Sequence, residues 1–142
     1  MSEAQNLLAL DVGERRIGVA LANTTAKIAS PLVTIIRDGE RDVFERIKAI
    51  IHEHNIQIVV VGLPRGLEGQ ETAQTAIARK FADELSTSCS VTVHLQDEAL
   101  TSVMAKDELG AKNKPYEKGD VDKLAAAFIL QDWLRATGAP II

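Results

Sequence analysis

After a polar hexapeptide the chain opens with two apolar runs divided by a short polar break. Leu7-Leu8-Ala9-Leu10 leads into Asp11-Val12-Gly13, and Ile17-Gly18-Val19-Ala20-Leu21-Ala22 begins four residues after the glycine. Apolar runs of this length bounded by turn formers predict strand, tight turn, strand. A third short strand is predicted over 31–36, before Asp38-Gly39 breaks the pattern. Over 42–54, Val43, Phe44, Ile47, Ile50 and Ile51 recur at the spacing of one helix face. Residues 56–61 form a β-branched run, as expected of a central strand covered on both faces, with Gly62-Leu63-Pro64 as a terminating loop. A second helix is predicted over 71–85 from Ala73, Ile77, Phe81 and Leu85. Val91, Val93 and Leu95 then alternate in a fifth strand that ends in Gln96-Asp97-Glu98. A short helix over 102–109 follows. The polar stretch 110–119 has no apolar period and is expected to be a mobile loop. The last helix, over 121–134, is apolar nearly all round and is expected to be buried, with Trp133 in the core.

The resulting order, β-β-β-α-β-α-β-α-α, implies an α/β fold. A three-stranded meander feeds a mixed five-stranded sheet with helices on both faces. No internal repeat, low-complexity tract or linker divides the 142 residues, so 1–142 is expected to be one domain. A chain of this length buries roughly 70% of its unfolded surface and needs no staples. The single cysteine, Cys89, excludes an intramolecular disulfide and a cysteine-based zinc cluster, and points to a reducing, cytoplasmic setting. The N-terminus has no basic segment followed by an apolar run, so no signal peptide is expected. No stretch of about 18 apolar residues exists to cross a membrane. A net charge of −4 argues against strong sequence-independent binding of nucleic acid. That argument weakens if carboxylates gathered around metal ions account for part of the charge.

The placement of acids changes the picture more than their number. Asp11 closes a core strand, where an unpartnered carboxylate costs several kcal/mol or more to bury. A bound cation, a hydrogen-bonded turn or a catalytic role would each explain it. Glu98 ends the fifth strand, and Asp122 opens the last helix. Taken singly, Asp97-Glu98 fits a solvated strand end equally well. Asp122 fits a helix first turn favoured by the macrodipole, with Asp120 as its N-cap. Taken together, three acids at strand ends and a helix start resemble a ligand site of an open α/β sheet. Their mutual repulsion calls for cations. Oxygen-only ligands suit Mg²⁺ or Mn²⁺, and two such ions about 3.5–4 Å apart can clamp a phosphodiester. His94, inside a strand, is expected to be packed. His52 and His54 are expected at a helix C-terminus, where cations are tolerated.

Four blocks carry a resemblance. Leu10-Asp11-Val12-Gly13-Glu14-Arg15-Arg16-Ile17-Gly18-Val19-Ala20 resembles the opening of the YqgF family, also called RuvX. So do Val61-Gly62-Leu63-Pro64 with Gly69-Gln70-Glu71, and Asp97-Glu98-Ala99-Leu100-Thr101-Ser102. Lys118-Gly119-Asp120-Val121-Asp122, leading into Ala125-Ala126 and Ile129-Leu130, completes the set in family order across nearly the whole chain. The resemblance implies an RNase H-like fold related to the Holliday-junction resolvase RuvC. It implies a divalent-metal nuclease acting in 5′-end maturation of pre-16S rRNA, with Asp11, Glu98 and Asp122 as catalytic acids and ligands of two Mg²⁺ or Mn²⁺ ions. The chain departs from the family at Ala99, where arginine is usual, and at Met104, where glutamate is usual. Gly66 and Glu68 stand where asparagine and aspartate are frequent.

Arg15, Arg16, Arg65, Lys112, Lys114 and Lys118 are the candidate contacts to phosphates of a structured RNA or a DNA junction, with Tyr116 offering a stacking face. For the lysines, plain solvation in a polar loop is the competing account. The chain is expected to act as a monomer or a homodimer. Three alternatives stay open: a Holliday-junction or other DNA nuclease, a non-catalytic nucleic-acid-binding module of the same fold, and an actin-like or Hsp70-like ATPase. The ATPases also carry an Asp-x-Gly strand end, but they need two large lobes that 142 residues cannot supply.

Overall fold

The computed structural model describes residues 4–26, 28–98 and 118–136, with the backbone alone at positions 40, 98, 118 and 119. Strands β1 (Asn6–Val12), β2 (Arg16–Asn23) and β3 (Ser30–Ile36) form an antiparallel meander. Helix α1 (Glu40–Glu53) leads to β4 (Ile58–Pro64), which lies parallel to β1. Helix α2 (Ala73–Ser88) leads to β5 (Thr92–Glu98), parallel to β4. The sheet order is β3-β2-β1-β4-β5, and helix α3 (Lys118–Ala136) returns across it. This is the mixed five-stranded sheet expected from the apolar pattern. The short helix predicted over 102–109 lies outside the described residues.

β1 is the centre of the molecule. Leu7, Leu8, Ala9 and Leu10 are all fully buried, because the strand is covered on both faces. Leu8, Leu10 and Val12 point into a core with Val59, Val61, Val43, Ile47, Phe81 and Leu85, under α1 and α2. Leu7 and Ala9 point the other way, with Ala20 and Val60, into a core closed by Ala126, Ile129, Leu130 and Leu134 of α3. Each fully buried Leu or Ile contributes roughly 1.5–3 kcal/mol. The α3 face is built from small residues: Ala9 and Ala20 on the sheet meet Ala126 and Ala127 on the helix. Small side chains on both surfaces let the helix backbone lie close to β2.

Several boundaries differ from those the pattern predicts. β4 does not end at Val61. Gly62, Leu63 and Pro64 continue the strand, paired with Gln96, Asp97 and Glu98 of β5. Glycine and proline weaken a strand when it stands alone, but here the parallel partner extends past them, and the Pro64 carbonyl accepts a hydrogen bond from the Thr75 hydroxyl. α2 starts two residues late because Thr72 caps it. The Thr72 side chain accepts from the Thr75 N–H, and the Thr75 hydroxyl accepts from the Thr72 N–H at 2.9 Å. Such a cap stabilises by about 1 kcal/mol. α3 starts at Lys118, so the last two residues of the expected loop 110–119 are helical, and the rest of that loop lies outside the described residues. Asp120 accordingly sits in the first turn, 3.5 Å from Lys123, and is not the N-cap. Nor is α3 buried all round: Asp122, Lys123, Gln131 and Asp132 are only half-buried. Trp133 is half-buried too, packing at the edge of the α3 core. His94 is exposed rather than packed inside, although its ring tilts against that of Trp133 at 5.6 Å. His52 lies in the last turn of α1 and His54 caps it, as expected.

Candidate active site

Asp11 is the last but one residue of β1, half-buried, and lies opposite Gly18 of β2 in the antiparallel register. Side chains alternate across the sheet, so Asp11 falls in the set of Leu7 and Ala9, which faces α3. Gly18 and Arg16 face the same way, since Ile17 and Val19 point into the α1–α2 core. Gly18 explains how the first turn of α3 reaches this spot. A Cβ on Gly18 would run into the backbone carbonyl of Asp122 and come within 2.8 Å of the Lys123 nitrogen. Only glycine leaves room for the helix backbone there. One residue of β2 thus touches α3 at Asp122 and pairs with β1 at Asp11.

Asp122 is held by charge. The Arg16 Nε donates to Asp122 Oδ2 at 2.5 Å, with the two side chains 32% and 21% exposed. A charge-assisted bond this short ties the start of α3 to the start of β2 across 106 residues of sequence.

The third acid enters by register. Position 98 ends β5, opposite Pro64. Period-two alternation places it with His94, which meets Trp133 of α3, so it belongs to the sheet face of Asp11. Among the described residues no group of three His, Cys, Asp or Glu side chains gathers as a metal cage. The described acids of the predicted set are Asp11 and Asp122, and the side chain at position 98 lies outside. Gly18 thus links the strand position of Asp11 to the backbone of Asp122, and both acids carry oxygen donors, the type that suits Mg²⁺ or Mn²⁺.

The basic candidates separate. Arg15 is exposed in the β1–β2 turn. Arg16 is engaged with Asp122. Arg65 contacts Asp97 at 3.2 Å and Glu71 at 3.9 Å, and Glu71 in turn pairs with Arg79 at 2.9 Å. Asp97 is on the opposite face of β5 from position 98, so this network pins the strand end from behind. Lys118 opens α3, while Lys112, Lys114, Tyr116 and Ala99 lie outside the described residues.

Three supports went unforeseen. The Arg37 guanidinium donates to the Gly13 carbonyl at 2.6 Å and lies 5.5 Å over the Phe81 ring, buttressing the turn behind Asp11. Thr75, fully buried, joins the start of α2 to the end of β4. Asp97 holds Arg65. Nothing in the local sequence marks Arg37. The Thr72-x-x-Thr75 spacing was the available signal for the cap. Beside the same turn, on the α2 side, Glu14, Arg37, Ile77, Lys80, Phe81 and Glu84 line an open cleft of about 380 Å³.

Comparison with known proteins fits this arrangement. The family RuvX, described as Holliday junction resolvase, matches residues 5–136. The chain belongs to the RuvX family. A RuvX relative from Chloroflexus aurantiacus, named "Putative pre-16S rRNA nuclease", is 43% identical over 135 residues, covering 93% of this chain and 88% of its own. A relative of the same name from Crocosphaera subtropica is 40% identical over 142 residues and covers 99% of both chains. Among solved structures, RuvC of Thermus thermophilus superposes with a TM-score of 0.56 at 15% identity, over 95% of this chain and 98% of that one. The RuvX chain therefore has the RNase H-like α/β fold.

Proposed function

We propose that this RuvX protein is a metal-dependent nuclease that hydrolyses phosphodiester bonds, acting in 5′-end maturation of pre-16S rRNA. The observation that carries this reading is the junction at Gly18, which brings Asp122 of α3 to the strand position opposite Asp11. The names borne by relatives about 40% identical over nearly the whole chain support the substrate. Asp11, Glu98 and Asp122 would hold two Mg²⁺ or Mn²⁺ ions. When bound, such ions activate a water as nucleophile and neutralise charge on the attacked phosphate.

The chain's own residues supply the rest. The Arg37 bond to Gly13 and the β1–β2 register fix Asp11 on a rigid strand end. The Arg65–Asp97 contact fixes the end of β5, whose last position is Glu98. Arg15, exposed in the adjoining turn, and Lys112, Lys114 and Lys118, just before Asp122, would meet phosphates of a structured RNA. No described helix is long and apolar enough to cross a membrane.

The test is Asp11→Asn, assayed with Mn²⁺ on rRNA precursor ends, single strands and four-way junctions. Loss of cleavage with an unchanged circular dichroism spectrum is the expected result. Undiminished Mn²⁺-dependent cleavage by the variant would sink the assignment. Cleavage of junctions but not of rRNA ends would move the substrate to DNA.

A further inference from the structure

Arg16 has a role that neither the fold nor the family assignment supplies. It is the cation nearest to Asp122 in the described structure, at 2.5 Å, and it lies on the sheet face that carries Asp11. Both partners are only partly exposed, so the pair is less screened than a surface pair. The guanidinium occupies one acceptor direction of Asp122 Oδ2 and neutralises the charge that would draw a divalent ion there. Arg16 and a metal therefore compete for Asp122 through its charge.

We infer that Arg16 is an exchangeable counter-cation. It neutralises Asp122 when no metal is present, and it gives the carboxylate up when a divalent ion binds. The released guanidinium then faces the substrate phosphate beside the acids. This inference rests on the metal-dependent reading above. It follows from the pairing itself: among the described residues Arg16 is the guanidinium that neutralises Asp122, and it stands on a strand too firmly paired to move far. The side chain can swing, while the backbone at Arg16 stays in the β2–β3 ladder opposite Ile36. Arginine suits both roles, since its planar donors match carboxylate and phosphate alike.

The exchange predicts opposite signs for two affinities. In Arg16→Gln, Mn²⁺ binding measured by calorimetry tightens by about 10-fold, because the competitor is gone, while KM for the nucleic acid rises by about 10-fold. Arg16→Lys keeps the charge and stays within about 3-fold of the wild type in Mn²⁺ affinity. A merely structural arginine would loosen both affinities when replaced, and a pure phosphate contact would leave Mn²⁺ binding unchanged; either result overturns the exchange. A second measurement needs no substitution. In ¹⁵N spectra of the wild-type protein, the Arg16 Nε–H resonance shifts and begins to exchange with water on saturation with Mg²⁺. A resonance that saturating Mg²⁺ does not move also overturns it. Failure of the underlying reading has a different signature. Wild-type and Asp11→Asn proteins would then both take up no Mn²⁺ at all, and the exchange would fall with it.

Discussion

The two ends of the sheet are fastened by different chemistry. At the end where β1, β4 and β5 finish, ion pairs join the elements: Arg16 to Asp122, Arg65 to Asp97 and Glu71, Glu71 to Arg79. At the end where those strands begin, the ties between elements among the described residues are neutral. The Asn6 side chain donates to the carbonyls of His54 and Asn55 at 3.3 and 3.1 Å, and the Asn6 N–H donates to the Gln57 side chain at 2.6 Å. The Gln5 N–H donates to the Thr24 hydroxyl, and the Thr24 N–H returns a bond to Gln5. Neutral pins hold geometry at little electrostatic cost. Partly exposed ion pairs contribute only about 0–1 kcal/mol each, so stability alone gives little reason to collect charge at one end. Charge collected there is better explained by a charged ligand.

The largest effect is expected where the ionic end depends on a backbone contact. In Gly18→Ala the added methyl collides with the carbonyl of Asp122, and both neighbours are backbone, which cannot swing aside. Overpacking of this kind costs about 1–3 kcal/mol, and more where the surroundings are rigid. The urea midpoint should fall accordingly, and Mn²⁺ uptake should be lost as α3 lifts from β2. A Gly18→Ala protein as stable as wild type would show that the helix does not approach this closely.

Next comes a pair of substitutions that tests the contrast directly. Asn6→Ala removes two hydrogen bonds to the turn after α1 and leaves those carbonyls to water. A loss of about 1–2 kcal/mol is expected, with cleavage per folded molecule unchanged. Asp122→Asn breaks the Arg16 pair at a cost of no more than about 1 kcal/mol, yet it should eliminate cleavage. The neutral end would then cost stability without activity, and the ionic end the reverse. Denaturant melts beside cleavage rates decide it; a slow Asn6→Ala enzyme or an active Asp122→Asn would erase the distinction.

The ionic end was also the legible one. Acids that close core strands stand out against an apolar run, so Asp11 and the Asp97-Glu98 pair were visible from the sequence, as were all five strands. The partners of those acids were not. Arg16 and Asp122 are 106 residues apart, and no local pattern says that a glycine two positions after Arg16 lets a helix rest there. β4 was cut short because Gly62 and Pro64 signal a break, whereas the register with β5, a property of two distant segments, carries the strand through them. The neutral end was invisible for a different reason. Asn6, Thr24 and Gln57 are ordinary polar residues at ends of elements, and only the folded chain reveals that they bond to one another.

The smallest effect belongs to the neutral end and concerns Cys89, which caps α2 with its N–H bonded to the Leu85 carbonyl at 3.0 Å. Burial pushes the thiol above its ordinary value; Lys48 pulls it back, and Glu45 adds to the rise. The thiolate is the reactive form, so alkylation by iodoacetamide at neutral pH should run more slowly than in the urea-unfolded chain. The linkage has a definite sign. A pKa raised by folding means that the native state holds the proton more tightly. The associated stability is complete below the unfolded thiol value of roughly 8.5 and is lost as pH rises through the folded one. A Cys89→Ala variant should therefore lose less stability than wild type between pH 8 and 10. Equal alkylation rates in native and unfolded protein would place Cys89 in a more polar setting than its burial implies.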